Sequence, residues 1–162
     1  SLSIQPALAE FIHNGDFGVH LRRMRRLYLI KRDALNALLH AHLTHWLQWE
    51  LPHGGMHIMV YFQSQWIQAY QALKIQIHMT DSPAYLDTFI SQHAEADNLQ
   101  LMSLSACYFD KNPTDSTADH PSTQVSEGLV LGFSQSSLEE LQTGVLILQR
   151  LLQRLFPSAK SD

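Results

Sequence analysis

Apolar positions recur along this chain with two different periods, and the alternation between those periods predicts its elements. Leu8, Phe11 and Ile12 fall on one side of a helix over residues 5–14, with Pro6 accommodated in the first turn. Asn14-Gly15 ends that helix, because both residues accept the left-handed conformation common at helix C-termini. Asp16 then offers an N-cap for the next helix. Phe17, Leu21, Met24, Tyr28, Leu35 and Leu38 keep helical spacing, and Leu27, Ala34 and Leu39 widen the stripe. No Pro or Gly intervenes after Gly18 until beyond Leu47. The pattern predicts one helix of about eight turns at ~3.6 residues per turn, which is long for a small free-standing domain.

Pro52 and Gly54-Gly55 break this helix, and His57–Phe62, rich in β-favouring residues, predicts a strand. Residues 63–73 fit either a helix or an edge strand. Lys74–Met79 alternates polar and apolar, the period of a half-buried strand. Asp81 or Ser82 caps a following helix with Pro83 near its first position, and Tyr85, Leu86, Phe89 and Ile90 face inward. Leu99–Leu104 predicts a short strand, and residues 110–126 a loop full of Pro, Asp, Ser and Thr. Glu127-Gly128 leads into a buried strand, LVLGFS. Ser136 with Glu139, or Ser137 with Glu140, offers a capping box ahead of a last helix carrying Leu138, Leu141, Val145, Leu148, Leu152 and Leu155 and ending at Pro157. The fold class expected is α+β: a small, mainly antiparallel sheet covered by helices on one face. No internal repeat is visible.

At 162 residues, 45% of them hydrophobic and 16% charged, the chain suits one folded domain with a real core. Its net charge of −4 gives no overall nucleic-acid signature. The single Cys107 cannot close an internal disulfide, and neither a signal peptide nor a run of ~20 apolar residues is present. A soluble cytoplasmic protein is the expectation. The chain opens at Ser1 without an initiator Met, which fits a processed protein or a piece of a longer one.

Two clusters raise chemical questions. HAHLTHWLQWELPHGGMH, residues 40–57, holds five histidines. A zinc site needs its ligands converging at ~2.0–2.3 Å from one ion. Here His42 and His45 can share a helix face, while His40 points elsewhere and His53 and His57 flank a turn. No HExxH motif occurs, and polar residues near a helix C-terminus already complement its dipole. No metal site is expected. HLRRMRRLYLIKR, residues 20–32, concentrates six of the eleven Lys and Arg residues. Arginines flanking an apolar stripe describe a solvated helix face, with no helix-turn-helix or aromatic platform beside them. Cys107 in SACYF reads as a small buried hydrophobe. No phosphate loop or nucleophile elbow occurs, and none of Lys31, Lys74, Lys111 and Lys160 sits in an evidently desolvated setting. The residues taken alone show no self-contained active site.

PALAEFIHNGDFGVHLRRMRRLYLIKRDALNALL, GGMHIMVYF, LMSLSACYF and GLVLGFSQSSLEELQTGVLILQRLL occur in this order. Together they resemble the small C-terminal domain, and the stretch leading into it, of MocR-type regulators. These are GntR-family proteins fused to an aminotransferase-like region of fold type I. Residues 63–96 and the 110–126 loop match poorly. The resemblance implies a short helix over 1–15 packing on a large domain, a linking helix over 16–48 and a small α+β domain over 49–162. It implies that a large domain would carry the pyridoxal phosphate lysine and an N-terminal winged helix would read DNA, both outside these 162 residues. A homodimer is also implied, as is self-association of the isolated chain through its uncovered apolar faces. Tyr108, Phe109 and Val130 would neighbour the ligand. Related aminotransferases often carry, at the position of Val130, an arginine that grips a substrate carboxylate through a bidentate pair. With valine there, the resemblance points to a sensor of a small amine or amino acid. A true aminotransferase, and an independent binding or assembly module, are the alternatives.

Overall fold

The computed structural model describes residues 4–76, 82–108 and 125–157. Helix α1 (Ile4–His13) turns at Gly15, whose φ of 81° is the left-handed conformation that glycine adopts without penalty, into the long helix α2 (Asp16–His42). Gly15 itself occupies the N-cap, so Asp16 is the first helical residue rather than the cap. The helix ends at His42, short of Leu47. Leu43, Trp46 and Leu47 do keep helical spacing, but they turn into the core through Trp46 N–H and Leu47 N–H bonds to the Leu43 carbonyl (3.0 and 2.9 Å). The turn delivers strand β1 (Leu47–Trp49).

Strand β2 (His57–Phe62) lies where its composition placed it. Residues 63–73 resolve as helix: α3 runs Ser64–Gln76, with Trp66 and Ile67 partly buried and Tyr70 fully so. The strand expected over Lys74–Met79 is therefore wrong for Lys74–Gln76, which continue α3, and 77–79 lie outside the described residues. Ile75, the first apolar residue of the alternating pattern, is 77% exposed. Helix α4 (Leu86–Glu95) starts later than Ser82, with Tyr85 at the N-cap making no side-chain cap bond, and Asp81 lies outside the described residues. Leu86, Phe89 and Ile90 face inward as expected, but Tyr85 is exposed. The strand expected over Leu99–Leu104 shrinks to β3 (Met102–Ser103), because only these two residues register with β4. A single 3-10 turn, Ser105–Cys107, follows, and Cys107 is exposed rather than buried.

Strand β4 (Gly128–Gly132) and helix α5 (Leu138–Leu155) complete the chain. Ser137 with Glu140 forms the capping box, each satisfying the other's backbone N–H at 3.1 and 2.6 Å. The sheet order is β1-β2-β4-β3, antiparallel throughout, with His57 opposite Gly132 and Tyr61 opposite Gly128. Period-2 alternation sends Leu47, Ile58, Val60, Phe62 and Leu129 into the core. There they meet Leu35 and Leu39 of α2 and Leu141, Val145, Leu148 and Leu152 of α5. This is the α+β arrangement expected, helices covering one face of an antiparallel sheet. By contrast α1 buries no residue, and α2 buries only Leu35 and Leu39, both in its second half. Ile4, Leu8, Ile12, Val19, Leu29 and Ile30 are all about half exposed or more. Among the described residues no helix is long and apolar enough to cross a membrane.

Gly128 marks the tightest approach in the sheet. A Cβ there would stand 2.2 Å from the Val60 carbonyl oxygen, which belongs to the backbone of the central strand pair and cannot swing away. Gly128→Ala is expected to lower the unfolding free energy by about 2 kcal/mol, within the usual range for overpacking, as read by urea denaturation against wild type.

Candidate functional site

The side of the sheet away from the helices is open. Gln48 of β1, His57, Met59 and Tyr61 of β2, Val130 of β4 and Met102 of β3 are the alternate residues, and they point outward together. Val130 sits at the centre, paired with Met59 on one side and Met102 on the other, and both methionines are at least half exposed. A groove of about 800 Å³ crosses the β1–β2 side of this face, walled by residues 50–53 of the connecting loop. The surface is mixed: Met59, Val130 and Met102 are apolar, while Gln48, His57 and Tyr61 of the sheet and Glu50 and His53 of the loop bring polar groups to the groove.

Of the residues expected near a ligand, Val130 is on this face. Tyr108 leaves the 3-10 turn that follows β3, and Leu104 N–H binds the Gly128 carbonyl at 2.8 Å, so Tyr108 lies toward the Gly128 end of β4 with its side chain exposed. Phe109 lies outside the described residues. The histidines disperse: His40 tilts against Trp49 with centroids 4.7 Å apart, and His45 meets the edges of Trp46 and Trp66, each at 5.1 Å. Among the described residues no three His, Cys, Asp or Glu side chains converge on a metal position. Lys31 donates to the Ser134 carbonyl at 2.8 Å and Lys74 to the Pro83 carbonyl at 2.9 Å, which occupies the two described lysines structurally.

What holds the Gly128 end of this face is a pair of carboxylates that periodicity alone did not single out. Asp87 is fully buried. Its two oxygens accept from Thr88 N–H (2.7 Å), Ser105 Oγ–H (2.6 Å), Ser105 N–H (2.7 Å) and Gly128 N–H (3.1 Å). That fills the roughly four acceptor positions of a carboxylate. The signal was present in the sequence: Asp87, Ile90 and Ala94 stand at i, i+3 and i+7 and all are buried, so an acid occupies a core-facing position. Glu127 is its neighbour. It accepts from Leu86 N–H at 2.5 Å, so it serves the first turn of α4 from across the fold, while its own carbonyl accepts from Phe62 N–H at 3.0 Å. Burial raises the Glu127 carboxyl above its ordinary value of 4.5; the Leu86 N–H opposes the rise, the Asp87 charge adds to it and Lys74 opposes it. The Tyr70 hydroxyl, which donates to the Pro83 carbonyl at 2.7 Å, is likewise pushed up by burial and by the Glu127 charge.

Comparison with known proteins gives this geometry a context. The chain matches no established family model. Over 62 residues it is 45% identical to a probable rhizopine catabolism regulatory protein, MocR, of Rhizobium meliloti, a stretch covering 38% of this chain and 13% of that protein. Solved aminotransferase structures share the fold. A multiple substrate aminotransferase of Thermococcus profundus superposes with a TM-score of 0.65 at 15% identity, over 92% of this chain. A kynurenine aminotransferase of Pyrococcus horikoshii gives 0.61 at 17% over 90%, and LysN, the α-aminoadipate aminotransferase of Thermus thermophilus, gives 0.63 at 18% over 93%. The chain resembles the small domain of the aminotransferase-like region of MocR-type regulators. It spans 29%, 28% and 31% of the three aminotransferases, and the match to the regulator covers 13% of that protein's length. The Pyrococcus structure was solved with PMP and the Thermus one with N-(5'-phosphopyridoxyl)-L-leucine, and as complete proteins such aminotransferases are pyridoxal-phosphate-dependent. The described residues of this small domain do not by themselves fit that cofactor. Both described lysines are tied to carbonyls, and the outward residues of the sheet face include no lysine or arginine. What the face offers is an apolar patch at Met59, Val130 and Met102 beside a groove of mixed polarity.

The Glu127 shift has a definite sign. A folded-state carboxyl value above the unfolded one means that folding takes up a proton between the two, so stability falls as pH rises through that window. Glu127→Gln keeps a carbonyl oxygen for Leu86 N–H and removes the charge. The variant is expected to lose this fall, so that wild type weakens relative to it from about pH 4.5 upward, as urea midpoints measured at intervals between pH 4 and 8 would show.

Proposed function

We propose that this chain is the C-terminal part of a MocR/GntR-type transcriptional regulator, whose aminotransferase-like domain senses a small amine or amino acid through pyridoxal phosphate. In this reading residues 1–15 pack on a large domain, 16–48 link it to the small domain, and 49–162 form the small domain. The large domain would supply the cofactor lysine, an N-terminal winged helix the DNA contact, and a second copy would complete a cytoplasmic homodimer. The observation that carries the proposal is the outward Val130, paired between Met59 and Met102 where related aminotransferases often place a carboxylate-gripping arginine. An isopropyl group cannot form the bidentate pair that orients an amino acid for transamination. It can wall a pocket that distinguishes ligands by shape. Tyr108 and Phe109 would border the same pocket. The 62-residue match to a regulatory protein supports the same choice.

The second reading, an aminotransferase, is favoured by the fold likeness to three such enzymes. The two separate in the native, full-length protein. Pyridoxal phosphate is expected to give a visible absorption band that changes on adding an amine or amino acid and alters affinity for the protein's own promoter DNA, with no oxo acid released. Stoichiometric or catalytic oxo acid would make the protein an enzyme, and absence of any band would remove the cofactor from the account.

A further inference from the structure

Helix α2 presents Arg25, Tyr28, Leu29 and Arg32 at i, i+3, i+4 and i+7, which is one face. Among the described residues, that face hydrogen-bonds to the β1–β2 loop only at Pro52, through Arg32. It stands off from His53, Gly54 and Gly55 across a crevice of about 270 Å³, with the ring of Phe133 at its floor. Phe133 is buried and held by its N–H bond to the Met56 carbonyl, at 3.0 Å. The crevice therefore has an apolar base and a cationic rim.

Arg32 is fixed in position. Its side chain is only 18% exposed. Nε and one terminal nitrogen donate to Asp33 Oδ1 at 2.9 and 2.7 Å, and the other terminal nitrogen donates to the Pro52 carbonyl at 3.1 Å. A guanidinium carries five N–H donors in one plane. Three are used, and one remains on each terminal nitrogen for a further acceptor. Pro52 belongs to the loop that forms the opposite wall, so the same contact that orients Arg32 also ties the two walls together. Arg25, one face-repeat away, makes no ion pair among the described residues. Asp33 is committed to Arg32.

We propose that this crevice binds a small organic anion, a carboxylate or a phosphate ester, gripped between the Arg25 and Arg32 guanidinium groups with Tyr28 Oη as a further donor. The apolar part of the ligand would lie on Phe133 and Leu29. A solvated arginine face needs neither the anchoring of Arg32 across the gap nor an apolar floor between the two guanidinium groups. The position of the crevice is also consequential. It lies between the long helix and the loop that leads into β2, so an occupant would brace α2 against the sheet.

Isothermal titration of the full-length chain with inorganic phosphate and, separately, with succinate tests this, each against sodium chloride at equal ionic strength. Saturable one-to-one binding of at least one probe is expected, weakened at least tenfold in Arg25→Gln, whose unfolding temperature without anion should match wild type because the residue is exposed. Phosphate binding more tightly would assign a phosphate ester, and succinate a carboxylate. Arg26→Gln, on the same helix but outside the crevice, is expected to bind within twofold of wild type. The proposal is overturned if neither probe gives saturable heat above the chloride control. It is equally overturned if Arg25→Gln binds as wild type does, or if Arg26→Gln weakens binding as much as Arg25→Gln.

Discussion

A single buried carboxylate sets the geometry on which the open face of this sheet depends. Asp87 gathers N–H and O–H groups from three places that are distant in sequence: the first turn of α4, the 3-10 turn after β3 and the first residue of β4. The buried Ser105 and Gly128 N–H groups would otherwise lack this partner at that corner, and a buried donor left unpaired costs about 1–3 kcal/mol. With them satisfied, β4 enters the sheet at Gly128, pressed against the Val60 carbonyl, and its register against β2 and β3 follows. Register in turn decides which residues face out, because a one-residue slip exchanges the two faces of a strand. Val130 is outward because Gly128 is pinned. Glu127 works beside it at lower benefit, giving up ordinary acidity to hold the start of α4.

The helical arm shows a different balance. Folding of the sheet, α5 and the second half of α2 is accounted for by a continuous apolar core. The segment Ile4–Ile30 contributes nothing fully buried to it, although its apolar residues recur at helical spacing. Its stripe meets itself where Phe11 of α1 packs on Phe17 of α2, and the edge of the core through Tyr28, so the arm relies largely on local helix terms, which are weak in water. The aminotransferases that share the fold align with this chain over only 28–31% of their own length.

Sequence reading succeeded where one period ran cleanly and the flanks carried specific chemistry. His57–Phe62, the Ser137–Glu140 capping box and the leucine face of α5 are such places. It failed where tertiary contacts overrode a local pattern. Leu43, Trp46 and Leu47 look helical because a buried turn also needs apolar groups three and four apart. Lys74–Gln76 look like a strand because Ile75 breaks the helical stripe by facing solvent, a cost the helix absorbs through Trp66, Ile67 and Tyr70. At the candidate site, Val130 was legible as a departure from an arginine-bearing pattern. The Asp87–Glu127 corner was legible only in part: Asp87 stands on the core-facing side of its helix, but its meeting with residues 127 and 128 spans about 40 positions that no local window covers.

This domain is proposed to be part of a larger regulator. The most direct test of that proposal is the mass of the native protein in its source cell, read by immunoblot with an antibody raised against these 162 residues. A band several times heavier than 18.5 kDa is the predicted result. A single band at 18.5 kDa would contradict it and leave an independent binding module whose helical arm must find its cover elsewhere.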